Sequence, residues 1–213
     1  MESVNRRSYD SSRRKEQAEQ TRLEIIEVAR RQFLDEGFAA TTIGAIASEV
    51  GVSVDTIYKT FGGKAGVLRA VYERGLAGQG AVPAEIRSDA LQTTEPDTRT
   101  VYAGLGRLST EVAPRAGPIL LLIEQAATTD SEMADLLAEL ESQRLTRMTH
   151  VAENLRCAGH LRTDITVEAA AEVMWLYTAP RIYELLVIKR GWPLERFGTF
   201  IGETLTAALA PPG

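Results

Sequence analysis

The chain has 213 residues, 44% of them apolar and 25% charged, with a formal net charge of −5 and one cysteine, Cys157. This is the composition of an ordinary globular chain. It excludes an internal disulfide, and the longest aliphatic run, residues 119–123, is far too short to cross a bilayer.

Residues 1–15, MESVNRRSYDSSRRK, are rich in Arg and Ser and lack apolar periodicity, which predicts a disordered basic arm. Its Arg6, Arg7, Arg13, Arg14 and Lys15 are candidates for phosphate neutralisation; a solubilising tail is the plainer alternative. Residues 16–36 read as a first helix with Ile26, Ala29 and Phe33 on one face, ended by Gly37. The stretch TTIGAIASEVGVSVDTIYKTF, residues 41–61, then carries the most specific local signals in the chain. Thr42 caps a short helix whose Ile43, Ile46, Ala47 and Val50 recur at helical spacing. Gly51 ends it, because glycine takes positive φ cheaply. Ser53 caps a second short helix with Ile57 inward and Val54, Asp55, Thr56, Tyr58 and Lys59 outward. Two short helices around a tight turn, the second presenting small and hydrogen-bonding side chains, make a helix-turn-helix of the kind that enters a DNA major groove. Gly62 and Gly63 break the chain before a fourth helix, residues 64–76, whose N-terminal N–H groups and Lys64 favour an anion.

Residues 78–97 contain Gly78, Gly80, Pro83 and Pro96 and read as an interdomain linker with at most a short turn at 84–91. Residues 98–112 form a helix with Val101, Tyr102, Leu105 and Leu108 on one face. Pro114 and Pro118 predict a break before a short apolar helix at 119–128. Thr129 and Glu132 have capping-box spacing and open a long helix to residue 158, stopped by Gly159. Thr166 caps the next helix, expected to run to about residue 189 with a kink one turn upstream of Pro180. Pro193 suits the first turn of a last helix faced by Leu194, Phe197, Phe200, Ile201, Leu205 and Leu209. No strand pattern appears. The expectation is an all-α chain of about nine helices: an arm at 1–15, a three-helix helix-turn-helix domain with its connecting helix at 16–76, and a helical regulatory and dimerisation domain at 77–213.

Residues 1–80 carry a net charge of +1 and residues 81–213 a net of −6. The acidic surplus therefore lies outside the helix-turn-helix, and a local basic face matters more than the total, since exposed charges are screened within about 10 Å. His150 and His160 are ten residues apart, without metal-ligand spacing to each other or to Cys157. No nucleophile motif, phosphate loop or paired carboxylate is present. No catalytic residue, metal ligand or cofactor is expected, each His is read as a surface or helix-end residue, and Cys157 as inert, with redox sensing the alternative.

The run VARRQFLDEGFAATTIGAIASEVGVSVDTIYKTFGGKAGVL resembles the TetR family of bacterial regulators through Ala29, Phe33, Gly37, Phe38, Thr41, Thr42, Ile46, Ala47, Gly51, Val52, Ser53, Ile57, Tyr58, Phe61, Lys64 and Leu68. Downstream, MWLYTAPRIYELLVIKRGWPLERFGTFIGETL looks like the last two helices of a TetR subfamily with a GW-x-x-x-R joint. The resemblance implies a ligand-responsive regulator, a repressor binding a palindromic DNA operator as a homodimer. An activator or ligand-independent regulator, or a helical enzyme or scaffold retaining a helix-turn-helix, stands as the alternative. It implies that Thr42 touches a phosphate, that Ser53, Val54, Asp55, Thr56 and Lys59 face bases or phosphates, and that Tyr58 and Lys64 hold the backbone. For Ser53 and Asp55, mere helix capping is the competing role.

A small-molecule cavity is likewise implied by the family. Tyr102, Leu105, Leu121, Glu124, Met148, Trp175 and Tyr177, the aromatic, flexible or polar members of aliphatic stripes, are its candidate lining. Leu185 to Ile188 cover most of a helix circumference, more than one intramolecular face needs. A two-fold interface through Leu185, Ile188, Phe197, Phe200, Ile201 and Leu205 is expected. The polar N-terminus without a signal-peptide core, and the single cysteine, lead to a cytoplasmic expectation with no membrane partner.

Overall fold

The computed structural model describes the backbone of residues 3–212 and the side chains of residues 13–212. Among them there are helices and turns and no strand. The chain divides into two compact units between Val71 and Tyr72.

The first unit holds α1 (Ser3–Ala40), α2 (Ile43–Val50), α3 (Val54–Phe61) and most of α4 (Lys64–Leu76). α1 starts at Ser3, so residues 3–15, expected as a disordered arm, are helical. Arg, Lys, Gln and Glu are good helix formers, and no glycine or proline interrupts them before Gly37. The side chains of Arg6 and Arg7 lie outside the described residues. Gly37, at φ 84°, is the predicted interruption, and the Thr41 hydroxyl donates to its carbonyl at 2.9 Å. Ile25, Ile26, Ala29 and Phe33 from α1 pack with Ile43, Ile46 and Ala47 from α2, Ile57 from α3, and Val67 and Leu68 from α4, all buried. Gln32 and Arg31 both donate to the Glu49 carboxylate, tying α1 to α2; these bonds hold the Glu49 carboxyl below its ordinary range. Gly66 lets α4 start close to the end of α3, since a methyl group there would lie 1.7 Å from the Phe61 carbonyl oxygen.

The second unit holds the end of α4, then α5 (Ala84–Thr94), α6 (Thr98–Ala127), α7 (Ser131–Cys157), α8 (Val167–Tyr177), α9 (Pro180–Tyr183), a π-helical turn (Glu184–Lys189) and α10 (Leu194–Leu209). Four expectations are corrected here. The linker contains a real helix, α5, which buries Ala84, Ser88 and Gln92. Its polar inward side, with Gln92 donating to Ser88 at 2.6 Å, hid it from an apolar-periodicity reading. α6 runs unbroken through Pro114 and Pro118. Each proline costs a helix interior about 3 kcal/mol, but Ile119, Leu120 and Ile123 beyond them are fully buried, at roughly 1.5–3 kcal/mol each. The cap of α7 is Asp130, which accepts from Met133 N–H, rather than Thr129. The expected kinked helix is two helices, α8 ending at Tyr177 and α9 starting at Pro180. Ala179 before it is extended, as a residue preceding proline prefers, and Pro180 opens α9 at its first turn.

α6 and α10 form the centre of this unit. They approach backbone to backbone: a methyl group on Gly106 would stand 2.2 Å from the Gly198 carbonyl oxygen, and one on Gly202 3.0 Å from the Tyr102 carbonyl. Around them a core gathers Val101 and Tyr102, Val151 and Leu155 of α7, Met174 of α8, Tyr183 of α9, and Phe197, Ile201, Leu205 and Leu209 of α10. The last turn of α4 meets α6 at a glycine as well, where a methyl group on Gly75 would lie 2.9 Å from Ala116 N.

Candidate nucleic-acid interface

The helix-turn-helix is fixed by its caps. Thr42 is extended, and its hydroxyl accepts from Ala45 N–H at 3.0 Å. Gly51 is left-handed at φ 78°, donating to Ala47 O, and turns the chain sharply. Ser53 is extended, and its hydroxyl accepts from Thr56 N–H at 3.1 Å while lying 2.8 Å from the Thr56 hydroxyl. Asp55 therefore does not cap α3 by a hydrogen bond; Ser53 does.

With Ile57 fully buried, α3 turns three strips away from the core. Asp55 and Lys59 form the outward ridge, joined by an ion pair of 2.7 Å, with side chains 70% and 77% exposed. Val54 and Tyr58 form one flank, both exposed. Thr56 and Thr60 form the other, the Thr60 hydroxyl donating to Thr56 O at 2.7 Å. Lys64, at the first residue of α4, lays its ammonium 4.1 Å from the centre of the Phe38 ring. Phe38, stacked 6.3 Å from Phe33, thus positions a cation beside a helix N-terminus. The 26-residue separation of Phe38 from Lys64 gave no spacing signal for this contact.

Four of the seven candidates for a small-molecule cavity, Tyr102, Leu105, Met148 and Tyr177, belong to or pack against one core. Tyr102 is fully buried, its hydroxyl donating to His160 O at 3.0 Å, and burial pushes its pKa above the ordinary tyrosine range. Trp175 instead donates its indole N–H to Glu141 at 2.9 Å, under the Arg144 guanidinium. Glu124 pairs with Arg181 at 3.1 Å, and Leu121 is half-buried. Tyr72 lies buried beside the Glu141–Arg144 pair, its phenol pushed up to about 12 chiefly by burial.

The expected interface residues also separate. Phe197, Ile201 and Leu205 are at most 2% exposed within the single chain, so they serve its own core and have no surface left for a partner. That part of the expectation is corrected; amphipathic spacing identifies an inward face without saying whose core it meets. Leu185 and Ile188 are exposed on the π-helical turn, and Phe200 is half-buried against Trp192, ring centres 5.7 Å apart. His160, just past the end of α7, is buried: its Nδ1 lies 2.8 Å from the Thr98 hydroxyl and its Nε2 2.9 Å from Glu95 O. Cys157 is exposed. Among the described residues no group of His, Cys, Asp and Glu side chains is arranged to hold a metal ion, and no helix is long and apolar enough to cross a membrane.

Comparison with known proteins adds an independent line. Residues 25–71 match the family of bacterial regulatory proteins described as the tetR family. The HTH-type transcriptional repressor BepR of Brucella suis biovar 1 is 25% identical over 208 residues, covering 94% of this chain and 97% of its own. The HTH-type transcriptional regulator TtgR of Pseudomonas putida is 43% identical over 61 residues, 29% of either chain. Among solved structures, SmeT of Stenotrophomonas maltophilia in complex with triclosan superposes with a TM-score of 0.69 at 22% identity, covering 91% of this chain and 93% of that one.

Proposed function

The chain belongs to the TetR family of bacterial regulatory proteins, a transcription regulator, and on that premise we propose that it is a repressor that binds a palindromic operator as a homodimer and releases it on binding a small molecule. The observation that carries the DNA half of this reading is α3: a helix capped by Ser53, anchored by Ile57 and presenting an exposed polar ridge. Lys59 on that ridge reaches guanine O6 or N7. Thr42 and Lys64 hold phosphates, which fix register without reading sequence.

Two-fold pairing is supported by the exposed aliphatic turn at Leu185 and Ile188, with Phe200 and Trp192 beside it, and an isologous patch is the economical way to cover such a surface. The ligand half draws on kinship with regulators of which one, SmeT, is seen with triclosan. The effector site is assigned to the body at residues 98–190. Its signal leaves through α6, whose Ala116 meets Gly75 in the last turn of α4, and reaches Lys64 at the other end of that helix.

Selection of bound sequences from random duplex DNA tests the first half; the expected result is a site with dyad symmetry, its half-sites about one helical turn apart or somewhat more. Titration of an identified effector with and without operator tests the second. Linkage requires operator to weaken effector binding by the same factor by which effector weakens operator binding, so equal effector affinities in the two titrations would exclude release by ligand.

A further inference from the structure

α10 has two sides of different character. Phe197, Gly198, Ile201, Gly202, Leu205 and Leu209 are buried against the chain's own core. Arg196, Phe200, Glu203 and Ala207 follow one another at steps of four, three and four residues, so they line the opposite side of the helix. Arg196, Glu203 and Ala207 are exposed, and Phe200 is half-buried. One end of this stripe is held in place. The Arg196 guanidinium lies 3.8 Å from the centre of the Trp192 ring, and Trp192 meets the Phe200 ring edge-on. Side chains already fixed in one geometry lose less freedom on meeting a partner. Arg196 and Glu203 stand two turns apart, about 10 Å along the axis at 1.5 Å per residue, with Phe200 between them.

We propose that this stripe docks on the same stripe of a second copy of the chain, with the two α10 helices antiparallel and Arg196 paired with Glu203 of the partner subunit. The proposal rests on the homodimer reading above and gives it a register. The stripe carries a cation at one end, an anion at the other and an aromatic ring between them, so it is complementary to itself when reversed. A two-fold axis crossing α10 between Thr199 and Phe200 sets residues equally far on either side against each other. Arg196 then meets Glu203 of the partner subunit, and Glu203 meets Arg196 of the partner subunit. Phe200 packs beside the axis, and the small Ala207 falls opposite Trp192 of the partner subunit. Helices running the same way would set Arg196 against Arg196 and Glu203 against Glu203, and like charges juxtaposed at an interface cost affinity. The order of charges along the stripe therefore selects the antiparallel pairing. Two charged pairs flanking an aromatic centre also have the layout of a specific interface, apolar inside and polar at the rim.

Sedimentation equilibrium of the full chain tests the pairing by charge reversal. Arg196→Glu and Glu203→Arg each set like charges against one another at both ends of the stripe. Each is expected to raise the dimer dissociation constant about tenfold or more. The exchanged variant Arg196→Glu/Glu203→Arg is expected to return close to wild type. An equimolar mixture of the two single variants is expected to form mixed dimers, which only folded chains can do, so lost contact is separated from lost fold. The register is read by cross-linking in a Cys157→Ser background, since Cys157 is exposed. Arg196→Cys chains mixed with Glu203→Cys chains should form a disulfide-linked pair under mild oxidation, and neither should link to itself. Three results would overturn the register while leaving the homodimer reading intact: single reversals that dimerise like wild type, an exchanged variant as weak as the single ones, or Arg196→Cys chains that link to themselves. A wild-type chain that sediments as a monomer at every concentration would overturn the homodimer reading itself.

Discussion

Asp55 and Lys59 face each other across one turn of α3, carboxylate to ammonium at 2.7 Å, on an exposed ridge of the helix-turn-helix. An exposed i,i+4 pair contributes about 0.3–0.5 kcal/mol, less than a bidentate base contact, at roughly 1–3 kcal/mol. Lys59 can therefore exchange Asp55 for a guanine at little cost to the fold. Asp55→Asn is expected to leave α3 intact, since Ser53 supplies the cap, and to tighten binding to every duplex by removing a carboxylate from the DNA face. Lys59→Ala is expected to lose about 1–3 kcal/mol on the preferred operator and to relax choice at one symmetric base pair. Fluorescence anisotropy on a panel of operator variants reads both. A changed base preference in Asp55→Asn would mean that the carboxylate itself reads a base.

Lys64 has a different task. It sits over Phe38 at the start of α4, where N–H groups already favour an anion. Lys64→Ala should weaken binding to all sequences alike and reduce the salt slope by about one unit per monomer. A Lys64→Ala protein selecting a different consensus from random DNA would contradict the phosphate assignment.

The partner surface is expected at the π-helical turn. Ile188→Asp and Leu185→Asp, at exposed positions, should shift sedimentation toward monomer and lower operator affinity in parallel, with the chain still folded. Ile201→Asp should instead unfold the chain, because Ile201 has no exposed surface and a carboxylate there would be buried unpaired. A fully dimeric Leu185→Asp/Ile188→Asp protein would place the interface elsewhere.

The α6–α10 crossing sets a steric prediction. Gly106→Ala puts a methyl group 2.2 Å from the Gly198 carbonyl oxygen, a backbone atom that cannot rotate away. Overpacking of this kind typically costs about 1–3 kcal/mol, to be read from urea denaturation. Gly80→Ala meets nothing within 4 Å but has φ 100°, so any cost there is backbone strain without a packing change.

A pH dependence is expected in the segment after α4. Arg87 donates to both oxygens of Glu111, at 3.0 and 2.6 Å, and to the Val82 and Gln79 carbonyls, while Gln79 N–H donates to Glu111 at 3.1 Å. The Arg87 bond first, and the Gln79 N–H second, hold the Glu111 carboxyl below its ordinary 4.5. A depressed carboxyl stabilises the fold above its unfolded value and loses that contribution as pH falls through the folded value. Amide exchange at Gln79 should thus stay protected at neutral pH and open only in acid. Glu111→Gln should open it at neutral pH, and protection that survived this change would show that the ion pair does not hold the segment.

The sequence by itself determined the helix-turn-helix. Its signals are local: a hydroxyl at Thr42 or Ser53 caps an N–H three residues on, Gly37 and Gly51 take positive φ, and Ile43, Ile46, Ala47 and Ile57 repeat at the helical period. Each acts within about one turn of its own helix, so no distant contact can overrule it cheaply. The tertiary structure alone decided everything that depends on what lies across a packed surface. It carried α6 through two prolines because Ile119, Leu120 and Ile123 are buried beyond them, and it made Gly106, Gly198 and Gly202 a backbone contact rather than flexible points. It also gave Phe197, Ile201 and Leu205 to the chain's own core and left Leu185 and Ile188 outside. Apolar periodicity specifies that a face is buried; only the three-dimensional packing specifies against which neighbour, and so which surface remains for DNA, for a ligand or for a second copy of the chain.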